Sequence, residues 1–254
     1  MSCLSVLHRG AVAQITLDRP PVNALNGELI DALSAALDDI EREGRTTVVH
    51  IRSARKAFCA GADLGDVRTA FASAVGAEAQ IVFVRRLQQV FQRIETLPLL
   101  TIAEINGPAL GGGLEMALAC DLRIVAHEAR LGLPEVDLGL LPGAGGTQRL
   151  TRQCGTVVAK RLILGAEVID GVTARELGLV QWAVPRAELA DTAQHLVDRL
   201  AGLPPAAVTA AKSCIAACGD PRRDGFEEEL TETRRLMDNP ETQKRVAAFL
   251  TRSR

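Results

Sequence analysis

The stretch from residue 99 to residue 120 constrains the fold most strongly. The apolar run 99–105 predicts a buried strand, Gly107-Pro108 predicts a turn, and three successive glycines from Gly111 open an apolar helix that runs from Leu114 towards Cys120. The first amides of a helix lack partners within the helix, and the helix dipole is positive at that end. The pattern therefore predicts a backbone site for an anion or a developing oxyanion.

Two glutamates lie in this apolar and glycine-rich part of the chain. Glu115 falls one turn into the apolar helix, and Glu135 follows a short predicted strand, 129–133, and Pro134. An ionised carboxylate is costly to bury, so each glutamate must be paired, share a proton or face a polar cavity. Taken singly, Glu115 is equally explained by the helix dipole and Glu135 by a surface strand end. Together with the glycine turns, the two carboxylates predict acid–base catalysis.

At these residues the chain resembles the enoyl-CoA hydratase (crotonase) family. The resemblance extends in order over about residues 5–185, and a weaker helical match continues towards the end of the chain. It implies an α/β fold in which strand-strand-helix units form a spiral, followed by C-terminal helices that mediate trimers, commonly paired into hexamers. The matching segments are Asn23-Ala24-Leu25-Asn26, Phe58 to Leu64, Asn106-Gly107 with Gly111 to Glu115, and Leu133-Pro134-Glu135 running to Leu150.

The resemblance also implies an activity and a set of site residues. The activity is hydration of an enoyl-CoA thioester to a 3-hydroxyacyl-CoA, with coenzyme A as part of the substrate and with neither a metal nor another cofactor. The amides of Ala62 and Gly112 would form the oxyanion hole, Glu115 would activate water, and Glu135 would give a proton to C2. The residues expected by motif match to bind the acyl-CoA are Ala60, Gly61, Asp63, Leu64, Gly111, Pro134 and Gly143.

Two further substrate contacts are implied by residues near the C-terminus. Family members borrow an aromatic residue and a cation from a neighbouring subunit, and Phe249 and Arg252 fall at the matching positions, with arginine where lysine is often found. The phosphates of coenzyme A also need cations, and Arg19, Arg55 and Lys56 are nearby in sequence. Ordinary surface solvation explains these three residues equally well.

Apolar periodicity divides the chain into an α/β core, 1–190, and a C-terminal helical region, 191–254. In the core we expect strands at 3–8, 11–17 and 47–52 and a helix from Gly27 to Glu43, with Asn26 as its N-cap and Gly44 as its stop. A helix is predicted at 79–97, whereas 64–78 has no firm periodicity. The later predicted elements are helices at 157–164 and 170–178, the latter with a Thr173–Glu176 capping box, a strand at 180–184, and helices at 186–202, 205–218, 224–237 and 240–252.

Composition argues against several other classes of protein. The 254 residues carry a net charge of −2, which gives no basic field for nucleic acid. No apolar run reaches the ~18 residues of a membrane-spanning helix, and the first ten residues lack a signal-peptide pattern. We therefore expect a cytoplasmic protein that binds neither membrane nor nucleic acid. The six cysteines form no CxxC pair and the four histidines no HExxH motif, which disfavours disulfide and metal sites.

The sequence disfavours several functions other than hydration. Starting from Gly111 or Gly143, the dinucleotide motif GxGxxG fails at its third glycine, and no GxSxG motif of a serine hydrolase is present. An isomerase of the same family would use one glutamate to shuttle a proton, with an apolar or displaced residue at the other position, so two carboxylates favour a hydratase. RNA-binding relatives have a lysine-rich helix after the segment that matches Phe58 to Leu64. In this chain the region after Leu64 has only one basic residue, Arg68, before Arg85. The intact glutamate pair also disfavours a non-catalytic interaction protein.

Overall fold

The computed structural model describes residues 3–252, and two β-sheets organise this part of the chain. The larger sheet has the strand order β1-β2-β3-β4-β6-β9, and the smaller has the order β5-β7-β8. Within the larger sheet β1 and β2 form an antiparallel hairpin, and every other neighbouring pair is parallel. The strands are β1 (Leu4–Arg9), β2 (Val12–Leu17), β3 (Val48–Ser53), β4 (Leu100–Ile105), β5 (Ala109–Leu110), β6 (Leu122–Ala126), β7 (Arg130–Gly132), β8 (Ile169–Asp170) and β9 (Trp182–Val184).

Ten helices of the described residues surround and extend these sheets. Helix α7 packs on the larger sheet against β2, β3, β4, β6 and β9, whereas α4 packs between α3 and α5. The helices are α1 (Gly27–Glu43), α2 (Leu64–Ala70), α3 (Ala74–Thr96), α4 (Gly112–Ala119), α5 (Gly146–Leu164), α6 (Gly171–Glu176), α7 (Arg186–Ala201), α8 (Pro205–Ala217), α9 (Gly225–Met237) and α10 (Pro240–Arg252), and a 3-10 helix spans Pro134–Leu138. The mixed α/β class predicted from the sequence is confirmed.

Central strands and α1 form as expected because their sequence signals are local. Strand β3 is buried along nearly its whole length, as a parallel strand covered on both faces must be. The side chain of Asn26 caps α1 by accepting a hydrogen bond from the amide of Leu29, and Gly44 ends the helix with a φ of 68°. These two residues satisfy backbone groups that a helix leaves open at its ends.

Residues 64–78, for which the sequence pattern predicted no helix, are largely helical. Helix α3 begins at Ala74, not at residue 79, and α2 occupies much of the stretch that has no apolar periodicity. Asp63 caps α2 by accepting from the amide of Gly65, and Ser73 caps α3 by accepting from the amide of Gly76. Most of the side chains of α2 and of the first turns of α3 are exposed, so these segments need no apolar stripe.

The predictions for α5 and α6 were also partly wrong. Helix α5 begins at Gly146, eleven residues before the predicted start at 157, and Gly155 interrupts it with non-helical angles (φ 79°, ψ 165°). In α6 the cap is Asp170, which accepts from the amide of Thr173, so Thr173 lies inside the helix and does not open a capping box. A carboxylate three residues upstream satisfies the same amides that a capping box would satisfy.

The C-terminal helices α8, α9 and α10 follow one another, and α9 contacts both of the others. Helix α7 crosses the predicted boundary at residue 190 and packs on the sheet through Leu189, Ala193 and Val197. Among the described residues no single helix has the length and hydropathy to cross a membrane. Helices α7 and α8 have that length and hydropathy only when they are taken together, and the angle between them is 100°. The side chains of Leu64 and Arg252 lie outside the described part of the structure.

Candidate active site

The amide of Ala62 lies in a loop that a neighbouring segment holds in place. The amide of Leu25 donates to the carbonyl oxygen of Gly61 at 2.8 Å, and the amide of Asp63 donates back to the carbonyl oxygen of Leu25 at 3.0 Å. The Ala62 amide lies between these two bonds and has no acceptor within residues 3–252. The loop therefore offers one rigidly held, unpaired donor.

The side chain of Asn23 holds this loop in place through hydrogen bonds, a role that the sequence did not reveal. Its side chain is fully buried, and its Nδ2 donates to the carbonyl oxygen of Phe58 at 2.9 Å and to the Oγ of Ser53 at 2.7 Å. Its Oδ1 accepts from the amide of Arg19 at 2.8 Å, and its φ is 54°. Asparagine tolerates this left-handed conformation better than most residues, so its position two residues after Pro20-Pro21 was a usable signal.

The second candidate donor is the amide of Gly112, the first residue of α4. Because it opens the helix, this amide has no acceptor within the helix. Gly111 before it has a φ of 51°, and a Cβ there would lie 2.9 Å from Oε1 of Glu135. A Cβ on Gly61 would lie 3.7 Å from the nitrogen of Gly112, so the Ala62 loop and the start of α4 are adjacent. The two unpaired amides thus lie on neighbouring backbones.

The opposite end of α4 is held by a buried arginine. The guanidinium of Arg123 donates to the carbonyl oxygens of Cys120 at 2.7 Å and Ala117 at 3.2 Å, and also to that of Leu179 at 2.8 Å. A cation at the C-terminus of a helix satisfies the open carbonyls and complements the dipole. Arg123 therefore fixes the helix whose first amide faces the candidate site.

Glu115 is almost completely buried on α4. Its Oε1 accepts from the amide of Gly146 at 2.7 Å. Burial raises the pKa of Glu115 to about 7; the hydrogen bond from Gly146 opposes this shift, and the negative charge of Glu135 adds to it. Near neutral pH this carboxyl group is present in both its protonated and its ionised form.

Glu135 lies in the 3-10 helix, directly after Pro134. Its Oε2 is buried and has no hydrogen-bond partner among the described residues. Burial raises the pKa of Glu135 above its ordinary value. A buried carboxyl oxygen without a partner is costly, which is typical of a group that acts on a ligand.

Both glutamates line a cavity of about 240 Å³. Its apolar walls come from α3 and from the loop after the 3-10 helix, and include Val84, Leu87, Leu138, Leu140 and Leu141. The residues predicted from the sequence that line the same cavity are Ala60, Gly61, Ala62, Gly111, Gly112, Glu115, Pro134, Glu135 and Gly143.

Two of the residues predicted to bind substrate lie elsewhere. Asp63 caps α2 and forms an ion pair of 2.8 Å with Arg19. Phe249 lies on α10 and is 69% exposed. Within residues 3–252 no group of three or more histidine, cysteine, aspartate or glutamate side chains is arranged to hold a metal ion. The cavity itself is lined by both glutamates and by the two residues that carry the candidate amides, Ala62 and Gly112.

Comparison with known proteins identifies the family of this chain. A family model described as enoyl-CoA hydratase/isomerase matches residues 8–254. The chain belongs to the enoyl-CoA hydratase/isomerase family. The family is one of enzymes, and the chain is similar to several proteins that are named hydratases.

Relatives of this hydratase/isomerase chain span most of its length. It is 42% identical over 202 residues to the probable enoyl-CoA hydratase of Bacillus subtilis, covering 79% of this chain and 77% of that protein. It is 38% identical over 212 residues to the short-chain-enoyl-CoA hydratase of Clostridium acetobutylicum, covering 81% and 78%. The crystal structure of an enoyl-CoA hydratase from Bacillus anthracis superposes with a TM-score of 0.91 at 35% identity, covering 98% and 96%. The crotonase fold expected from the sequence is therefore confirmed.

Proposed function

We propose that the protein adds water across the 2,3 double bond of an enoyl-CoA thioester and forms a 3-hydroxyacyl-CoA. The observation that carries this proposal is the pair formed by the buried Glu115 and the half-buried Glu135, whose carboxyl groups share one cavity with the unpaired amides of Ala62 and Gly112. Hydration of an activated double bond needs one group that accepts a proton from water and one that donates a proton to carbon. Two carboxyl groups whose pKa values are both raised by burial suit these two roles.

The reaction starts with the thioester oxygen between the amides of Ala62 and Gly112. Ionised Glu115 takes a proton from water as the hydroxyl oxygen bonds to C3, and the π electrons move towards the thioester, where the two amides stabilise the enolate. Protonated Glu135 then gives its proton to C2. The pair carries one proton before and after the reaction, although the proton has moved from Glu135 to Glu115. The titration therefore belongs to the pair and not to either residue.

Coenzyme A is proposed to enter beside the Ala62 loop. Arg19 and Arg55 are engaged by Asp63 and Asp18, whereas Lys56 is exposed and, among the described residues, has no carboxylate within ion-pair distance. An exposed ammonium without a carboxylate partner suits a phosphate group. Of the three cations considered from the sequence, Lys56 is thus the best placed for this contact.

The proposed activity is tested with enoyl-CoA substrates of four to sixteen carbons. Addition of water removes the conjugated double bond, so we expect the enone absorbance to fall for at least one chain length. A 3-enoyl-CoA serves as the matched control, because an isomerase would bring its double bond into conjugation and raise the absorbance. No fall with any 2-enoyl-CoA would contradict the proposal.

We also propose that α9 and α10 join copies of this chain into a trimer or a hexamer. The family resemblance implies this assembly, and both helices expose apolar side chains: Phe226, Leu230 and Met237 on α9, and Val246 and Leu250 on α10. On α9, Phe226 and Leu230 are four residues apart and lie on one face. Exposed apolar surface of this kind is typical of an interface between subunits.

Substitution on α9 tests the assembly. We expect Phe226→Ser/Leu230→Ser to lower the sedimentation coefficient from that of a trimer or hexamer towards that of a monomer, since the change removes apolar contact area without altering the buried core. Val75→Ser is the control, because Val75 is 81% exposed and lies on α3, away from the C-terminal helices. An unchanged sedimentation coefficient in the double variant would exclude this face as an interface.

A further inference from the structure

A buried guanidinium lies directly behind the candidate active site. The side chain of Arg149, in the first turn of α5, is only 4% exposed. Its Nε and Nη2 each lie 2.9 Å from Oε2 of Glu95 on α3, and its Nη1 donates to the carbonyl oxygen of Ala144 at 3.0 Å. One side chain thus connects α3 to the turn that precedes α5. Glu95 already supplies the negative charge that a buried guanidinium needs, so the additional bond to Ala144 is not required for charge pairing.

The turn that Arg149 holds is the turn that binds Glu115. The amide of Gly146 donates to Oε1 of Glu115 at 2.7 Å, and the Ala144 amide also favours the ionised form of that carboxyl group. Gly145 between them has a φ of 107°, and a Cβ there would overlap the Arg149 guanidinium. At the start of the turn, Gln88 of α3 donates from Nε2 to the carbonyl oxygen of Gly143 at 2.6 Å. The turn is therefore braced against α3 on both sides.

Arg149 also acts on Glu115 through its charge. The positive charge lowers the pKa of Glu115 and so opposes the effect of burial. Glu135 contributes a negative charge from the 3-10 helix, and Glu95 lies on the far side of Arg149. Among the described residues, Glu135 and Arg149 are the charged groups that shift the titration of Glu115. The side chain of Arg149 thus both holds the 144–146 turn and lowers the pKa of Glu115.

We propose that Arg149 is a positioning residue that holds the 144–146 turn against Glu115 through its bonds to Glu95 and to the carbonyl oxygen of Ala144. The positive charge that this placement brings to the turn also favours the ionised form of Glu115. The inference rests on the proposed hydration, in which Glu115 accepts a proton from water. It assigns no contact between Arg149 and the substrate. A displacement of a catalytic group by about 1 Å costs up to about 10²-fold in rate, which sets the size of the expected effect.

Three substitutions separate the geometric role from the role of the charge. Arg149→Met removes both, and we expect kcat to fall by about 10²-fold with little change in KM. Arg149→Lys keeps the charge but cannot bridge Glu95 and Ala144, so kcat should fall while the pH profile moves less than in Arg149→Met. Arg152→Met is the matched control, because Arg152 binds the other oxygen of Glu95 at 3.0 Å and is 54% exposed. Equal kcat values in the Arg149→Met and Arg152→Met variants would overturn the positioning role.

The pH profile reports the charge. Loss of a nearby positive charge destabilises the carboxylate form, so the pKa of Glu115 rises and the base form is lost at a higher pH. We therefore expect the acid limb of kcat to move to higher pH in Arg149→Met, to move less in Arg149→Lys, which keeps the charge, and to remain in place in Arg152→Met. A merely structural role would lower kcat without moving this limb. An acid limb unchanged in Arg149→Met would overturn the electrostatic part of the proposal.

Carboxyl titration tests the same inference without any turnover. In protein labelled with ¹³C at glutamate carboxyl groups, the Glu115 resonance is assigned by its loss in Glu115→Gln. Its titration midpoint should rise in Arg149→Met, and an unchanged midpoint would refute the charge effect even if the enzyme hydrates no substrate tested.

If Arg149→Met does not fold, Glu95→Gln weakens the same brace and keeps the charge of Arg149. Its kcat should then fall, and a wild-type kcat in that variant would refute the brace.

Discussion

We expect Glu115→Gln and Glu135→Gln each to lower the rate of enoyl-CoA hydration by about 10²–10⁴-fold, the usual contribution of one positioned acid or base. Both losses are expected because the addition needs a proton acceptor for water and a proton donor for C2, and neither group can replace the other. Glutamine keeps the shape of the side chain, and its carbonyl oxygen can still accept the bond from the Gly146 amide. The measurement is the decrease in enone absorbance under saturating substrate.

Proton exchange in a saturated acyl-CoA separates the two roles. Exchange at C2 with deuterated solvent needs a base beside C2 but no attacking water. It should therefore suffer more from Glu135→Gln than from Glu115→Gln. The reverse order would mean that the two roles are exchanged between the residues. Thermal unfolding of both variants serves as the control, because a change in activity that follows loss of folding says nothing about catalysis.

The same two variants separate hydration from double-bond migration. An isomerase needs one carboxyl group to carry a proton between C2 and C4, and no group to activate water. If Glu115→Gln leaves hydration intact while Glu135→Gln abolishes migration in a 3-enoyl-CoA, the isomerase explanation is correct and the proposed role of Glu115 is wrong. Loss of hydration in both variants supports the hydratase.

Features of the fold that depend on a few adjacent residues were predictable from the sequence. Asn26 and Gly44 define the ends of α1 because each acts on the helix next to it. In contrast, α2 and the start of α3 lie largely at the surface, so no apolar periodicity marks them. The cap of α6 was assigned to the wrong residue because aspartate and threonine are both good caps, and the sequence alone does not distinguish Asp170 from Thr173.

Site residues, too, were predictable from the sequence only where their role depends on residues close to them in the chain. The glycine turns and the two glutamates were recognisable because each belongs to a continuous motif. Arg149 and Arg123 lie within or close to the same motifs, yet their roles depend on partners such as Glu95 and Leu179, more than fifty residues away in sequence. No spacing rule predicts such contacts. The raised pKa of Glu115 likewise arises from packing around α4, which a sequence pattern does not describe.

Replacement of Gly112 by proline should lower turnover by about 10²–10³-fold, the usual cost of losing one oxyanion-hole donor. Proline removes the N–H group and is tolerated at the first position of a helix. The residue before proline is kept out of the helical region, and Gly111 already lies outside it with φ 51° and ψ −127°. The backbone can therefore accept this change without unfolding α4.

Gly112→Ala provides the matched control for the steric part of the change. A Cβ at position 112 would lie 2.7 Å from Cδ1 of Leu25, so alanine and proline both push this side chain, but only alanine keeps the amide donor. The ratio of kcat between the two variants therefore measures the donor itself. Because the amide acts mainly on the enolate, the ratio should exceed ten while KM changes less. If alanine and proline lower kcat equally, displacement of Leu25 explains the loss, and the Gly112 amide does not stabilise the oxyanion.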